Sequence, residues 1–455
     1  MKTLKITTGL ALILALAGSA TAQEGKKAGG EFLAPPGQVV AIKAGKLYEP
    51  NSGTFLANQV ILIHGDRITD VGANLAVPAG AKVIDLSTST VMPGMIDAHI
   101  HSNDGVAGET AAQRALISLS AVQHDLNAGF TTELDMDDRG GFDTVDLRDM
   151  IDAGIVAGPR MQVAGQSLNF RGGNYIRDPG TSGQYYDGHA QDKDVNSPWL
   201  ARAAVRELHN HGVDFVKVYD TDDFVGQHYM WRNGKAQVFY SLSTEEVQAI
   251  VDEAHRLGLK VACHDYGGDA NDPCLQAGVD APQHLEQIDD AGIKLLKAKH
   301  PWPVIFTPTI DDILRLEKGD LALSGNGASR MTLLETATKK IKAAGVEIAF
   351  GSGVTGADSV PHGSQANQFP IFVKWGFTPV EALRTTYIAA PKDLNYNMER
   401  EVGTVEKGKY ADIIAVNGNP LQDITEMARV KFVMKAGVVF RDDRSGISVL
   451  TGAHD

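Results

Sequence analysis

Residues 243–266 read STEEVQAIVDEAHRLGLKVACHDY, an amphipathic helical stretch running into a short apolar strand that ends on His264. FVKVYD (215–220), just upstream, is a second strand of the same kind. Together they show how the middle of the chain, about 92–395, is organised: short apolar strands alternate with helices or long loops. FTTELDM, DLRDMIDAG, APQHLE, VIFTPT and VEIAFGSG continue the alternation, and eight strand candidates can be counted from Met95. Repeated strand–helix units imply a parallel sheet, and eight of them predict an α/β fold of the (β/α)8 TIM-barrel kind. Reactive groups in such barrels sit at the C-terminal ends of the strands, so polar residues there are the ones to examine.

The flanks have a different texture. Residues 39–91 alternate short apolar runs with turn signals, as in VVAIKAGKLYEP and QVILIHGDRITDVG, which reads as β-strand. The same pattern returns in TVEKGKYADIIAV and RVKFVMKAGVVFRDD, within 396–455. One small sheet domain assembled from both chain ends is expected. At the N-terminus, two lysines precede an apolar run from Ile6 to Gly18 and the small-residue site Ala20-Thr21-Ala22. That order predicts a secretory signal peptide over 1–22 and a secreted or periplasmic protein. Residues 23–38, mixing charge with Gly and Pro, read as a linker.

Composition excludes several classes. With 43% hydrophobic and 22% charged residues, the 455-residue chain is neither disordered nor a small disulfide scaffold. Lys and Arg number 42 against 56 Asp and Glu, a net charge of −14, which argues against a nucleic-acid partner. No stretch beyond the N-terminus is long and apolar enough for a membrane span. Cys263, in an apolar strand, reads as an inert buried thiol, although an oxidising compartment permits a bond to Cys274.

Strand ends supply the chemistry. His99 and His101 close the first strand, and alternation puts positions i and i+2 on one face, so both imidazoles address one centre. Neutral imidazole suits zinc and similar divalent ions. Lys217 lies among apolar neighbours, where a charged ammonium is costly. A lysine held neutral combines with carbon dioxide to give an anionic carbamate that can bridge two cations. His264 and His284 end the fifth and sixth strands.

These residues resemble the amidohydrolase superfamily, in the branch near imidazolonepropionases and metal-dependent Xaa-Pro dipeptidases. VMPGMIDAHIHSN, NAGFTTELDM, DLRDMIDAGIVAGPR, FVKVYD, KVACHDY, PHGSQANQF, TPVEALRTT and GTVEKGKYADIIAV carry the likeness. The resemblance implies a barrel plus a small β-sandwich, and hydrolysis at two divalent metal ions, usually zinc. His99 and His101 would bind one ion, His264 and His284 the other, with Lys217 bridging as carbamate. Tyr219 becomes a candidate substrate contact, and His362, through its PHG match, is a candidate either to contact substrate or to support the ligands from behind. Asn174, in RGGNY, stands where relatives often carry His, and His228 belongs to an aromatic-bearing loop over the active face.

One departure is marked. Relatives have a metal-binding, proton-shuttling Asp after the eighth strand, where this chain has Gly353 in AFGSGVTGADSVPHG. Asp358 is the expected replacement, through a short insertion. Asp104 and Asp265 lie beside the histidines as further carboxylates. The expected activity is hydrolysis of an amide or peptide bond in a small dipeptide or N-acyl amino acid. Alternatives are a cyclic amide, lactone or imidazolone hydrolase or deaminase, and a non-catalytic binding protein. The partner expected is the small-molecule substrate, and relatives commonly form homo-oligomers.

Overall fold

The computed structural model describes residues 30–103, 110–138, 141–169, 175–177, 185–187, 193–221, 238, 240–299, 304–306, 327–355 and 361–450. Eight short strands form the barrel: Met95–Ile100, Phe130–Asp135, Arg160–Val163, Phe215–Tyr219, Lys260–Asp265, Ala281–His284, Val304–Phe306 and Ile348–Phe350. Strands one to three pair in parallel, as do four to eight. The Asp214 amide donates to the Val163 carbonyl at 2.8 Å, joining strand three to strand four. A parallel bridge between Ile100 and Val354 joins strand eight to strand one and closes the ring.

Alternation decides which side chains face the axis. Val216 and Val218 on strand four pack outward with Val205, Leu208, Val247 and Ile250 of the neighbouring helices. Phe215 points inward, into a cluster with Ile96, Ala98, Leu134, Ala262 and Ala349 that fills the barrel floor. Lys217, two residues on, shares that inward face and is fully buried. The outer helices are held at their starts by side-chain caps. Thr110 opens Ala111–Ala128 and Ser243 opens Thr244–Arg256, each with a reciprocal capping box that satisfies otherwise orphaned amides.

Both chain ends contribute to one eight-stranded sheet. Val39–Glu49, Thr54–His64, Arg67–Gly72 and Lys82–Pro93 come from the N-terminal side. Ile413–Val416, Phe432–Lys435, Val438–Asp442 and Ile447–Ser448 come from the C-terminal side. The halves meet where Val91 pairs antiparallel with Ala415, around a core including Ile42, Ile61, Leu86, Ile413 and Phe432. Polar links dock this domain on the barrel. Arg160 makes a 2.5 Å ion pair with Asp412, and the Lys435 ammonium donates to the Gly158 carbonyl at 2.8 Å.

Tyr175–Arg177 and Tyr185–Asp187 form a further antiparallel pair. One expectation changes. Cys263 is not a free thiol but is bonded to Cys274. A short helix, Pro273–Ala277, folds back onto the outer side of strand five and brings the two Cα atoms to 6.5 Å, within a disulfide's span. Among the described residues, no helix is long and apolar enough to cross a membrane.

Candidate metal centre

Four imidazoles gather at the C-terminal mouth of the barrel in two facing pairs. His99 Nε2 lies 3.0 Å from His101 Nε2, and His264 Nδ1 lies 2.9 Å from His284 Nε2. Nitrogen donors bound to one tetrahedral ion at ordinary zinc bond lengths stand roughly 3.3 Å apart, so each pair is close to a shared-ion spacing. The His99 and His284 rings, 5.5 Å apart between centroids, join the pairs into one cluster. Lys217 rises from the floor beneath them. Its ammonium contacts Gln283 Oε1 and sits 4.8 Å from the Tyr219 ring centroid, and that ring is 4.8 Å from His264.

Backbone features aim these groups. The pairing of strands one and two shifts register between Asp97 and Ile100, beside the first histidine. His284 and Leu285 both take left-handed backbone angles, φ +63° and +46°, a costly conformation for residues other than glycine that clusters at functional sites. Three hydrogen bonds tie the histidine strand to strand eight. Gly353 N donates to the His99 carbonyl at 2.7 Å, His101 N to the Val354 carbonyl at 2.9 Å, and Ser352 N to Asp97 Oδ1 at 3.0 Å. Asp97 Oδ1 also accepts from His99 N at 3.0 Å.

Burial sets the protonation states. His99 is pushed well below the usual imidazole range, first by desolvation and then by Lys217, His101 and His284. It is therefore neutral, the form that binds metal, and its buried Nδ1 has no hydrogen-bond partner among the described residues. Burial raises the Asp97 carboxyl to about 7, against the opposing bonds from Ser352 and His99. Asp135, buried beside Asp137 and Asp138, is raised to about 8 despite the Ser102 hydroxyl. Asp137 accepts from the Tyr219 hydroxyl at 3.2 Å and from Ser167 at 3.3 Å.

The structure thus brings His99, His101, Lys217, Tyr219, His264 and His284 together. His362 bonds to the protein through both ring nitrogens. Its Nδ1 lies 2.6 Å from Asp125 Oδ2 and its Nε2 faces the His101 carbonyl at 3.3 Å, so both ring nitrogens are engaged behind the histidine pair. Burial disfavours its charged form, yet Asp125 outweighs this and raises its pKa. Asn174, His228, Asp358 and Asp104 lie outside the described residues. Gly353 stands beside His99 at φ +61°, a backbone angle that suits glycine. Sequence reading missed Gln283, Asp97, Asp125 and Asp137. The run LDMDD (134–138), three carboxylates ending a buried strand, was a signal that went unused.

This donor set fits divalent metal: imidazole nitrogens converge in pairs, one is held neutral, and a buried lysine lies beneath them. The family model for the amidohydrolase family matches residues 90–440. The chain belongs to the amidohydrolase family. The family match, with the likenesses that follow, makes it a hydrolase acting on amide bonds. This amidohydrolase is 26% identical to ochratoxinase of Aspergillus niger over 436 residues, covering 89% of this chain and 87% of that one. Among solved structures it resembles a Xaa-Pro dipeptidase with bound methionine in the active site. The two are 28% identical at a TM-score of 0.75, with 89% of this chain and 100% of the other covered. A prolidase complexed with N-methylphosphonate-L-proline matches at 25% identity and the same TM-score, with coverage of 89% and 100%.

Proposed function

We propose that this amidohydrolase is a secreted or periplasmic, metal-dependent enzyme that cleaves the amide bond of a dipeptide or N-acyl amino acid. The observation that carries the reading is the convergence of two imidazole pairs over a buried, inward-facing lysine. His99 and His101 would hold one divalent ion, His264 and His284 the other, with Lys217 bridging as its carbamate and zinc the expected metal. When bound, such ions acidify water towards neutral pH and polarise the scissile carbonyl.

The remaining steps fall to the chain's own residues. His99 enters the site already neutral, so no proton has to leave it before it binds. Gln283 contacts the Lys217 nitrogen and fixes its position. Asp137 holds the Tyr219 hydroxyl, which fixes that ring beside His264. Asp358 takes the proton from the attacking water and passes it to the leaving nitrogen, giving a carboxylate and an amine. Chains named for Xaa-Pro dipeptides and for ochratoxin, both similar over nearly nine-tenths of this one, support a substrate with an amide-linked amino acid.

A local match supports a second reading, hydrolysis of a cyclic amide. Over 63 residues, 14% of this chain, it is 40% identical to dihydroorotase of Geobacter sulfurreducens. A screen decides between them. Metal-loaded protein is offered Xaa-Pro and other dipeptides, aromatic N-acyl amino acids, and cyclic amides, before and after chelation. Chelator-sensitive release of free amino acid from the linear set is expected. Turnover that survives complete metal removal would refute the metal-dependent reading, and turnover confined to cyclic amides would favour the second one.

A further inference from the structure

Behind the His99–His101 pair, a chain of polar groups runs from strand two to the His101 backbone. Glu133, on strand two, is fully buried. Asp97, its pairing partner on strand one, and Asp125, on the helix Ala111–Ala128, are equally buried. Asp125 uses both oxygens to hold the segment after strand eight. Its Oδ2 lies 2.6 Å from His362 Nδ1, and Gly363 N donates to its Oδ1 at 2.7 Å. His362 Nε2 then faces the His101 carbonyl at 3.3 Å. One imidazole of the pair is thus tied, through its main chain, to a helix outside the barrel.

Glu133 stands at the far end of this chain. Neither of its oxygens meets an N–H or O–H donor among the described residues, and its carboxyl is hydrogen-bonded to that of Asp125. Two carboxyl groups share a hydrogen bond only when one of them carries a proton. Burial, and after it the charges of Asp125 and Asp97, push Glu133 well above the usual carboxylate range, so the proton resides on Glu133. A polar group buried on a strand is costly unless it is hydrogen-bonded, and an apolar side chain would fill this place without that cost. The single O–H of Glu133 has a use, however: it gives Asp125 a further donor beside the imidazole and the amide. A carboxyl group engaged on all these sides is fixed in direction, because a fully satisfied buried network is rigid.

We propose that Glu133 is a positioning residue for the metal centre, a hydrogen-bond donor that fixes Asp125 and, through Asp125 and His362, the main chain of His101. The proposal rests on the reading of the imidazoles as a metal centre. Without the O–H, the Asp125 carboxyl is freer to turn, His362 loses its fixed support, and the His101 carbonyl loses its partner. The His101 ring direction follows from that backbone, so the loss reaches the ion without Glu133 touching it.

The test compares Glu133→Leu, Glu133→Gln, His362→Gln and the combination of Glu133→Leu with His362→Gln in the full chain. Zinc affinity, read by competition with a chromogenic chelator, should fall about 10-fold in Glu133→Leu. Glu133→Gln should keep the wild-type affinity, since its amide N–H replaces the acid's O–H. Adding Glu133→Leu to His362→Gln should lower affinity no further, because the two act along one path. In the metal-free chain, hydrogen exchange over residues 361–368 should quicken in Glu133→Leu and not in Glu133→Gln, since Asp125 protects the Gly363 amide. Wild-type affinity in Glu133→Leu, an equal loss in Glu133→Gln, or a further loss in the combined variant overturns the proposal. Should the leucine variant fail to fold, the near-isosteric Glu133→Gln decides by infrared difference spectroscopy. The carbonyl band of one protonated acid should disappear at neutral pH, and its persistence refutes the donor role. A wild type that binds no zinc defeats the metal reading, whereas the exchange and infrared measurements on metal-free chain judge the link from Glu133 to Asp125 separately.

Discussion

Replacing both Cys263 and Cys274 by Ala removes the crosslink behind strand five, and the structure fixes the size of the effect. The cysteines are separated by 11 residues. Loop-closure entropy for a ring of that length amounts to about 2.8 kcal/mol at 25 °C. Both sulfurs are fully buried, and losing each leaves a space about the size of a methylene, worth roughly 0.8 kcal/mol apiece. The double variant is therefore expected to be about 4 kcal/mol less stable in urea unfolding followed by tryptophan fluorescence. Scaled by the unfolding entropy of a chain this long, the thermal midpoint falls by roughly 4–5 °C. Zinc affinity, measured by chelator competition, should weaken as well, because Cys263 adjoins His264 on the same strand. A double variant within about 1 kcal/mol of the wild type would refute the reasoning, showing that the bond restrains neither folded nor unfolded chain.

Four further outcomes are expected. Lys217→Ala should lower turnover on the order of 10²-fold or more and reduce bound metal, and short carboxylic acids should partly restore activity by occupying the vacated bridge. His362→Gln cuts the link from Asp125 to the His101 carbonyl, so metal affinity should drop roughly 10- to 100-fold, read by competition with a chromogenic chelator. Asp358→Asn should abolish most turnover and loosen bound metal, read by chelator competition, and unchanged turnover would remove Asp358 from the mechanism. Lys435, pushed down by burial and then by Arg160 to about 8, makes stability pH-dependent. Between that value and its ordinary 10.5 the unfolded chain binds the extra proton, so stability rises with pH across this window, by up to about 3 kcal/mol. Lys435→Met should flatten that rise in urea unfolding at pH 7.5 and pH 10.

Much of this molecule was legible before any coordinates. The barrel followed from strand–helix alternation because each strand must bury both faces and each helix one, and those periods survive in a single sequence. The imidazoles could be found because they end strands, where the fold itself dictates direction. The role of His362 was left open for the opposite reason. It belongs to a segment without a strand or helix period, so nothing local states that its ring turns back onto Asp125. Gln283 was invisible because a buried amide beside a histidine looks like ordinary strand polarity. The disulfide depended on a five-residue helix folding back, a tertiary event that spacing alone does not encode. Asp97 and the carboxylates near His362 show their role only through the amides and rings they meet across the barrel.

The ring of strands is completed at the histidine pair itself, through the bonds from Gly353 and Ser352 and to Val354. The His99–His101 segment and the last barrel strand are thus neighbours in space but some 250 residues apart in synthesis. A chain emerging from the ribosome carries His99 and His101 early, yet the bonds of their strand to Ser352, Gly353 and Val354 form only once those residues arrive. Catalytic competence is therefore a signal of completion: a product truncated within the barrel keeps its imidazoles and lacks the strand that sets them.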